Sequence, residues 1–244
     1  MKKFGLIGSP LKHSFSYGYF KNKFIEEKIL YSEYNNYELD KVSDVKSLIK
    51  KDKNICGLNV TIPYKEQIIP YLDDIESIAK EIGSVNVINK ENNKLVGYNT
   101  DYAAFMYSLK LWLPNFKFSS VVLGTGGSSK AVKYALKKLN IPSIFVSRFP
   151  SNSEISYDEL SKGDILKNNK LIINTTPLGM FPNINTHPSI NFKLLSEEHY
   201  VYDLVYNPEM TLFLKMSMDK GSRIKNGYDM LIKQAELSWN IWNK

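Results

Sequence analysis

Apolar and polar positions alternate along the chain with two periods, and together they predict an α/β protein. Short apolar runs ending in small or polar residues predict strands at residues 3–8, 31–38, 55–61, 85–89, 94–98, 121–123, 143–147, 171–174 and 200–205. Amphipathic stretches predict helices at residues 17–27, 41–50, 73–82, 102–112, 209–219 and 227–244, a short helical stretch from residue 65, and a helix after residue 129. The polar segment 151–170 predicts a variable loop. Strands and helices in alternation favour mainly parallel, twisted sheets with helical cover.

The length of 244 residues suits one large or two modest domains, each with its own core. Asp101 directly precedes the amphipathic helix predicted at residues 102–112. We expect the domain boundary here, with that helix as the connector.

Composition is ordinary for a globular protein, with 43% hydrophobic and 23% charged residues. No apolar run reaches the length of a membrane span, and the first residues lack the apolar stretch of a signal peptide. Cys56 is the only cysteine, and the three histidines lack paired ligand spacing, so no metal site is expected. His13 is given no role. A cytoplasmic protein fits these features best.

The net charge of +7 comes from scattered lysines, because Arg148 and Arg223 are the only arginines. A nucleic-acid-binding protein would concentrate basic residues with interleaved aromatics on one element. The scattered pattern indicates a solvated surface and no nucleic-acid partner. The surplus still favours anionic small molecules.

A glycine-rich loop lies between the strand at residues 121–123 and the helix that follows. It contains Gly124, Thr125, Gly126, Gly127 and Ser128. Strand, glycine-rich turn and helix form the context of a dinucleotide fingerprint, in which backbone amides at the helix start face a pyrophosphate. Ser129 occupies the third glycine position of that pattern.

The end of the next strand indicates which dinucleotide is bound. NAD-selective sites place a carboxylate there for the ribose hydroxyls, whereas this strand ends in Ser147 and Arg148, with no acidic residue before Glu154. A guanidinium can bind a 2′-phosphate through its planar fork. The sequence therefore predicts NADP rather than NAD.

Three strand-like runs in the first half end in polar clusters that carry Lys65, Asn86 and Asp101. A lysine and an aspartate in one site could form a proton-transfer pair beside a polyhydroxylated ligand. The residues alone favour simpler interpretations: Lys65 as an exposed lysine at a helix start, and Thr100 or Asp101 as a helix cap. Ser14 and Ser16 likewise either cap the next helix, the favoured interpretation, or bind a carboxylate.

Eight motifs, in order, resemble those of shikimate dehydrogenases: SPLKHSFS, NVTIPYKE, GSVNVI, GYNTD, GTGGSSKAV, NTTPLGM, DLVYNP and NGYDMLIKQA. The resemblance implies a substrate domain at residues 1–101, completed by the terminal helix at 227–244. It implies a Rossmann-type NADP domain at residues 102–226, across a cleft from the first. The activity implied is reversible, NADP-dependent reduction of 3-dehydroshikimate to shikimate.

The resemblance also implies roles for single residues. Lys65 and Asp101 resemble the catalytic pair. The residues that resemble substrate contacts are Ser14, Ser16, Asn59, Thr61, Asn86, Tyr206 and Gln234. Those that resemble cofactor contacts are Gly124, Thr125, Gly126, Gly127, Ser128, Ser147, Arg148, Thr175, Leu204 and Gly227.

One departure from the family pattern keeps alternatives open. After Arg148 the chain reads FPSNSE, without the second basic residue usual in the family. The alternatives are a quinate/shikimate dehydrogenase that uses NAD, and a non-catalytic dinucleotide-binding sensor on the same fold. The protein is expected to be a monomer or a homodimer.

Overall fold

The computed structural model describes residues 1–11, 14–151 and 153–244. His13 therefore lies outside the described residues. The chain divides into two compact units, residues 1–100 with 235–244, and residues 101–234.

The first unit is an α/β layer built on a mixed sheet. Its elements are β1 (Lys2–Gly8), α1 (Phe15–Glu26), β2 (Ser32–Glu38), a 3₁₀ turn (Val42–Asp44), α2 (Val45–Lys51), β3 (Ile55–Val60), α3 (Tyr64–Gln67), a 3₁₀ turn (Ile69–Tyr71), β4 (Asp74–Ile75), α4 (Ser77–Ile82), β5 (Val87–Glu91) and β6 (Lys94–Tyr98). In the described part of the chain the strand order is β2-β1-β3-β5-β6-β4. The pairs β1–β2, β1–β3 and β4–β6 are parallel, and β3–β5 and β5–β6 are antiparallel.

The end of the chain completes the core of this unit. Trp239 and Trp242 pack against Phe4, with the Trp242 ring stacked 4.9 Å from the Phe4 ring. The Trp242 indole N–H donates to the Ile88 carbonyl at 3.0 Å. A side chain at position 57 would lie 2.2 Å from Trp242 Nε1, so Gly57 is required for this packing.

The second unit is a doubly wound parallel sheet. Its elements are α5 (Asp101–Trp112), β7 (Ser120–Leu123), α6 (Gly127–Lys138), β8 (Ser143–Ser147), β9 (Glu154–Ser156), α7 (Tyr157–Lys162), α8 (Ile165–Asn168), β10 (Leu171–Asn174), a 3₁₀ turn (Phe192–Leu194), β11 (Tyr200–Asp203), α9 (Leu212–Met218), β12 (Arg223–Lys225) and α10 (Tyr228–Trp242), whose last eight residues belong to the first unit. Within the described ranges the strand order is β9-β8-β7-β10-β11-β12, and every pair is parallel. This is the strand order of the dinucleotide-binding Rossmann fold.

Two sequence-based predictions of local structure are wrong. Residues 73–82 are not one helix, because Asp74 and Ile75 pair with β6 and the Glu76 side chain caps α4 by accepting from the amides of Ile78 and Ala79. The predicted loop at 151–170 contains β9, α7 and α8. Both strands are only two or three residues long, too short to show a period in the sequence.

The link between β8 and β9 is unusually short. Adjacent parallel strands normally need a crossover of a dozen or more residues, most often a helix. Here residues 148–153 alone separate Ser147 from Glu154. The last residues of the two strands, Ser147 and Ser156, are paired in register at the carboxyl edge of the sheet.

No helix in the described part of the chain is long and apolar enough to cross a membrane.

Candidate active site

The turn after β7 requires glycine at position 124. Gly124 has φ +108°, its N–H donates to the Val146 carbonyl at 2.9 Å, and a Cβ there would lie 2.7 Å from Thr175 Oγ1. The Ser129 hydroxyl donates to the Gly124 carbonyl at 2.7 Å. Ser129 occupies the position where the motif usually has its third glycine, and this hydrogen bond stabilises the turn.

The start of α6 presents open backbone. Gly126 is the N-cap residue and Gly127 the first helical residue, and no side-chain cap bond is present among the described residues. A Cβ built on Gly126 meets no described heavy atom within 4 Å. The backbone at the start of this twelve-residue helix is therefore uncrowded beside Gly126, and a helix N-terminus is a favourable place for a phosphate.

Hydrogen bonds connect the end of β10 to the end of β7, and the end of β11 to the end of β10. The Thr175 amide and hydroxyl both donate to the Leu123 carbonyl, at 2.9 and 2.7 Å. The Leu204 amide donates to the Asn174 carbonyl at 2.9 Å. A Cβ on Gly227 would lie 2.1 Å from the Leu204 carbonyl oxygen, so only glycine fits there. The predicted cofactor residues Gly124, Thr175, Leu204 and Gly227 thus sit at consecutive carboxyl ends of one parallel sheet.

A buried carboxylate, which sequence reasoning missed, holds two of these strand ends. Asp203 accepts hydrogen bonds from Asn174 Nδ2 at 2.9 Å, the Thr211 hydroxyl at 2.7 Å and the Val205 amide at 3.0 Å. Burial raises its pKa to about 7, against the lowering effect of these three donors. The sequence signals are that Asn174 and Asp203 each end a buried strand and begin the motifs NTTPLGM and DLVYNP, neither of which indicates that the two side chains meet.

The end of β8 carries a polar and a cationic side chain. Ser147 is buried and its hydroxyl accepts the Phe149 amide at 3.2 Å, whereas Arg148 is exposed. Glu154 begins β9 opposite Phe145, and its carboxylate accepts the Ser151 amide at 3.0 Å. Glu154 thus lies two positions before the carboxyl end of β9. A carboxylate that selects NAD would lie at the carboxyl edge itself.

In the first unit, hydrogen bonds link the segments that carry Lys65 and Asn86. The Val85 amide donates to the Lys65 carbonyl at 2.8 Å. Asn86 binds Thr100 twice, accepting its amide at 2.7 Å and donating to its hydroxyl at 2.9 Å. Lys65 is half-buried. Asp101, 4% exposed, follows Thr100 directly and begins α5 in the second unit.

A second buried network in this unit contains two predicted substrate residues, Ser16 and Asn59. Tyr34 donates to Asn59 Oδ1 at 2.9 Å, and Asn59 Nδ2 donates to the Ser238 hydroxyl at 2.9 Å. Burial raises the pKa of the Tyr34 phenol, and the nearby Ser16 side chain acts in the opposite direction. Sequence reasoning missed Tyr34 and Ser238, and no motif marks either of them.

Ser14 is the N-cap residue of α1, but its side chain makes no cap bond. Its hydroxyl oxygen is buried and has no hydrogen-bond partner among the described residues, a property shared with Ser84. The helix-capping interpretation is therefore wrong for Ser14. A buried hydroxyl without a partner is costly, and a ligand would satisfy it.

The other predicted substrate residues lie in both units. Thr61, half-buried, follows β3, and its carbonyl accepts the Tyr64 amide at 2.9 Å. Gln234 is on α10, with its amide donating to the Leu231 carbonyl at 2.9 Å. Tyr206 is half-buried after β11.

Comparison with known proteins assigns the family. A model described as the shikimate dehydrogenase substrate binding domain matches residues 6–88. The shikimate dehydrogenase (NADP(+)) of Clostridium botulinum is 39% identical over 248 residues, which cover 98% of this chain and 95% of that protein. The chain belongs to the shikimate dehydrogenase family.

Solved shikimate dehydrogenases have the same fold. Shikimate dehydrogenase 1 from Peptoclostridium difficile superposes with a TM-score of 0.89 at 36% identity, covering 100% of this chain and 92% of that one. The enzyme from Thermus thermophilus, solved with NADP(H) and shikimate, gives a TM-score of 0.86 at 27% identity over 99% of this chain and 93% of that one. These comparisons confirm the fold class predicted from the sequence.

Proposed function

We propose that this member of the shikimate dehydrogenase family reduces 3-dehydroshikimate to shikimate with NADPH, reversibly. The observation that carries the proposal is the match, over nearly the whole chain, to relatives named shikimate dehydrogenase (NADP(+)). The glycine-lined turn at the start of α6 supports it, because the backbone is uncrowded beside Gly126 and a helix N-terminus suits a pyrophosphate.

The residues of the second unit fit a dinucleotide. Gly124, Thr125, Gly126, Gly127 and Ser128 would hold the pyrophosphate. Leu204 and Gly227 would border the nicotinamide, and Thr175 would also contact the cofactor. Ser147 and Arg148 would bind the 2′-phosphate. The bound cofactor supplies the hydride, and the protein must position the reactants and manage one proton.

On the substrate side, Ser14 and Ser16 would bind the carboxylate of the ring, with Tyr206 assisting. The buried, unpartnered hydroxyl of Ser14 supports this role. Asn59, Thr61, Asn86 and Gln234 would bind the ring hydroxyls. The bonds of Asn59 to Tyr34 and Ser238 would hold its amide in one orientation before the ligand arrives.

Lys65 and Asp101 would form the proton-transfer pair. Negative charge builds on the substrate's C3 oxygen during reduction, and a cationic Lys65 would stabilise it and donate a proton. In oxidation, neutral Lys65 would take that proton back. Asp101 would orient Lys65 and the reacting hydroxyl. The double hydrogen bond between Asn86 and Thr100 supports this, because it anchors the residue just before Asp101.

The test is an assay for reduced cofactor with shikimate and quinate, each against NADP and NAD. Turnover with shikimate and NADP, and at most slow turnover in the other pairings, is the expected result. Comparable kcat/KM with NAD or quinate would indicate a quinate/shikimate dehydrogenase that uses NAD instead. Tight cofactor binding without turnover in any pairing would indicate a sensor.

We also propose a cytoplasmic location, consistent with a single, free cysteine, and a monomer or homodimer in solution. Light scattering at two protein concentrations would distinguish the two states, and a larger assembly would contradict both.

A further inference from the structure

The β8–β9 edge of the second unit contains a side chain that no motif assigns to the cofactor. Ser147 and Ser156 are paired in register at the ends of two adjacent parallel strands. Arg148 and Tyr157 are the next residues of each strand segment. They therefore leave the sheet side by side at its carboxyl edge, the edge where nucleotides bind in this fold.

The link between the two strands, residues 148–153, is short. A helical crossover would normally separate the end of one such strand from the start of the next. In this chain the connection contains no helix within its described residues, and β9 is immediately followed by α7. The register of the two strands makes Tyr157, the first residue of α7, the neighbour of Arg148.

The Tyr157 side chain is held in place and remains a hydrogen-bond donor. Its ring is half-buried and packs against the core of the second unit, as Ile155 and Ile165 also do. Burial raises the pKa of its phenol while the positive charge of Arg148 lowers it, so the charge of Arg148 acts at the hydroxyl. A phenol packed in this way loses little conformational entropy when it binds an anion.

The nearby carboxylates are already bonded to the protein. Glu154 accepts the Ser151 amide, and Glu159 accepts the Ser156 amide at 2.7 Å in a capping box. Asp158 is exposed and is the acidic residue that could compete for ribose hydroxyls in place of a 2′-phosphate.

We propose that Tyr157 is a specificity-determining residue that donates its hydroxyl to the 2′-phosphate of NADP alongside Arg148. It takes the place of the second basic residue that is missing from the segment after Arg148. The inference rests on the proposed use of NADP.

The test is titration calorimetry of the full chain with two probes, adenosine 2′,5′-bisphosphate and 5′-AMP. The wild type should bind the bisphosphate more tightly. Tyr157→Phe should weaken bisphosphate binding about tenfold, the effect of losing one hydrogen bond to a charged group, and leave 5′-AMP unchanged. Tyr107→Phe, at a half-exposed tyrosine on α5, is the matched control and should change neither affinity.

Four results would overturn the inference, and they differ in what else they contradict. If Tyr157→Phe binds the bisphosphate as tightly as the wild type, or loses affinity equally for both probes, Tyr157 does not recognise the 2′-phosphate. Either result would leave the proposed use of NADP intact. A wild type without preference for the bisphosphate would remove the cofactor assignment as well. Weaker 5′-AMP binding in Asp158→Asn would show that this edge binds ribose hydroxyls instead.

Discussion

Asp203 should make the stability of the protein depend on pH, and in an unusual direction. Its carboxylate is fully buried, and its pKa is raised from 3.8 to about 7 by desolvation. Replacing Asp203 with Asn removes the titration but keeps an oxygen that can accept from Asn174 and from the Val205 amide. The wild type and Asp203→Asn therefore differ mainly in one ionisable group.

The sign and size follow from proton linkage. Between pH 3.8 and about 7 the folded chain holds a proton on Asp203 that the unfolded chain has lost. Stability from this group is thus fully present below the unfolded pKa and is lost as pH rises to the folded value. At about 1.36 kcal/mol per pKa unit the whole effect is at most about 4 kcal/mol, and roughly 2.5 kcal/mol of it falls between pH 5 and pH 8.

Urea unfolding of both proteins at pH 5 and pH 8 measures this effect, since other groups titrate equally in the two. The wild type should lose about 2.5 kcal/mol of unfolding free energy relative to Asp203→Asn between pH 5 and pH 8. A pH-independent difference would refute the argument. A wild type whose unfolding free energy rises relative to that of Asp203→Asn as pH rises would also refute it. That result would mean that the three hydrogen-bond donors lower the pKa of Asp203 below its ordinary value.

Two other predictions separate ligand binding from folding by using matched pairs. Gly126→Ala should fold normally, because its Cβ enters open space, yet bind NADP at least about tenfold more weakly by blocking the phosphate. Gly124→Ala should instead lose about 1–3 kcal/mol of stability, because of its positive φ and the nearby Thr175 hydroxyl. Ser14→Ala should raise the KM for shikimate about tenfold without lowering the melting temperature, whereas Ser84→Ala, which also removes an unpartnered hydroxyl, should leave that KM unchanged.

Equilibrium binding of NADP, thermal unfolding and shikimate saturation kinetics provide the measurements. Wild-type NADP affinity in Gly126→Ala would show that the pyrophosphate does not approach that residue. Equal changes in KM for Ser14→Ala and Ser84→Ala would show that neither hydroxyl meets the substrate.

The sequence was most informative where a local rule fixes the geometry. The turn at Gly124 to Ser128 was predictable because strand, glycines and helix are adjacent in the chain, and the structure supplies the steric reason for Gly124. The short strands β4, β9 and β12 were not predictable, because two or three residues carry no period and depend on pairing with distant strands.

The polar networks were hidden for a different reason. Asn174 and Asp203 are 29 residues apart, and Asn59 and Ser238 are 179 apart, so only the fold brings each pair together. Ser14 illustrates a competing principle. A serine before a helix usually caps it, and nothing in the sequence reveals that this hydroxyl is left unpaired.

The most direct test of the proposed activity is shikimate oxidation with NADP by the wild type and by Lys65→Met. Lys80→Met, at an exposed lysine on α4, is the control. We expect turnover to fall by roughly 10²–10⁴-fold in Lys65→Met, the usual contribution of a general acid or base, with NADP affinity and melting temperature retained and Lys80→Met fully active. A wild type without shikimate turnover, or a Lys65→Met enzyme within about tenfold of the wild type, would contradict the account.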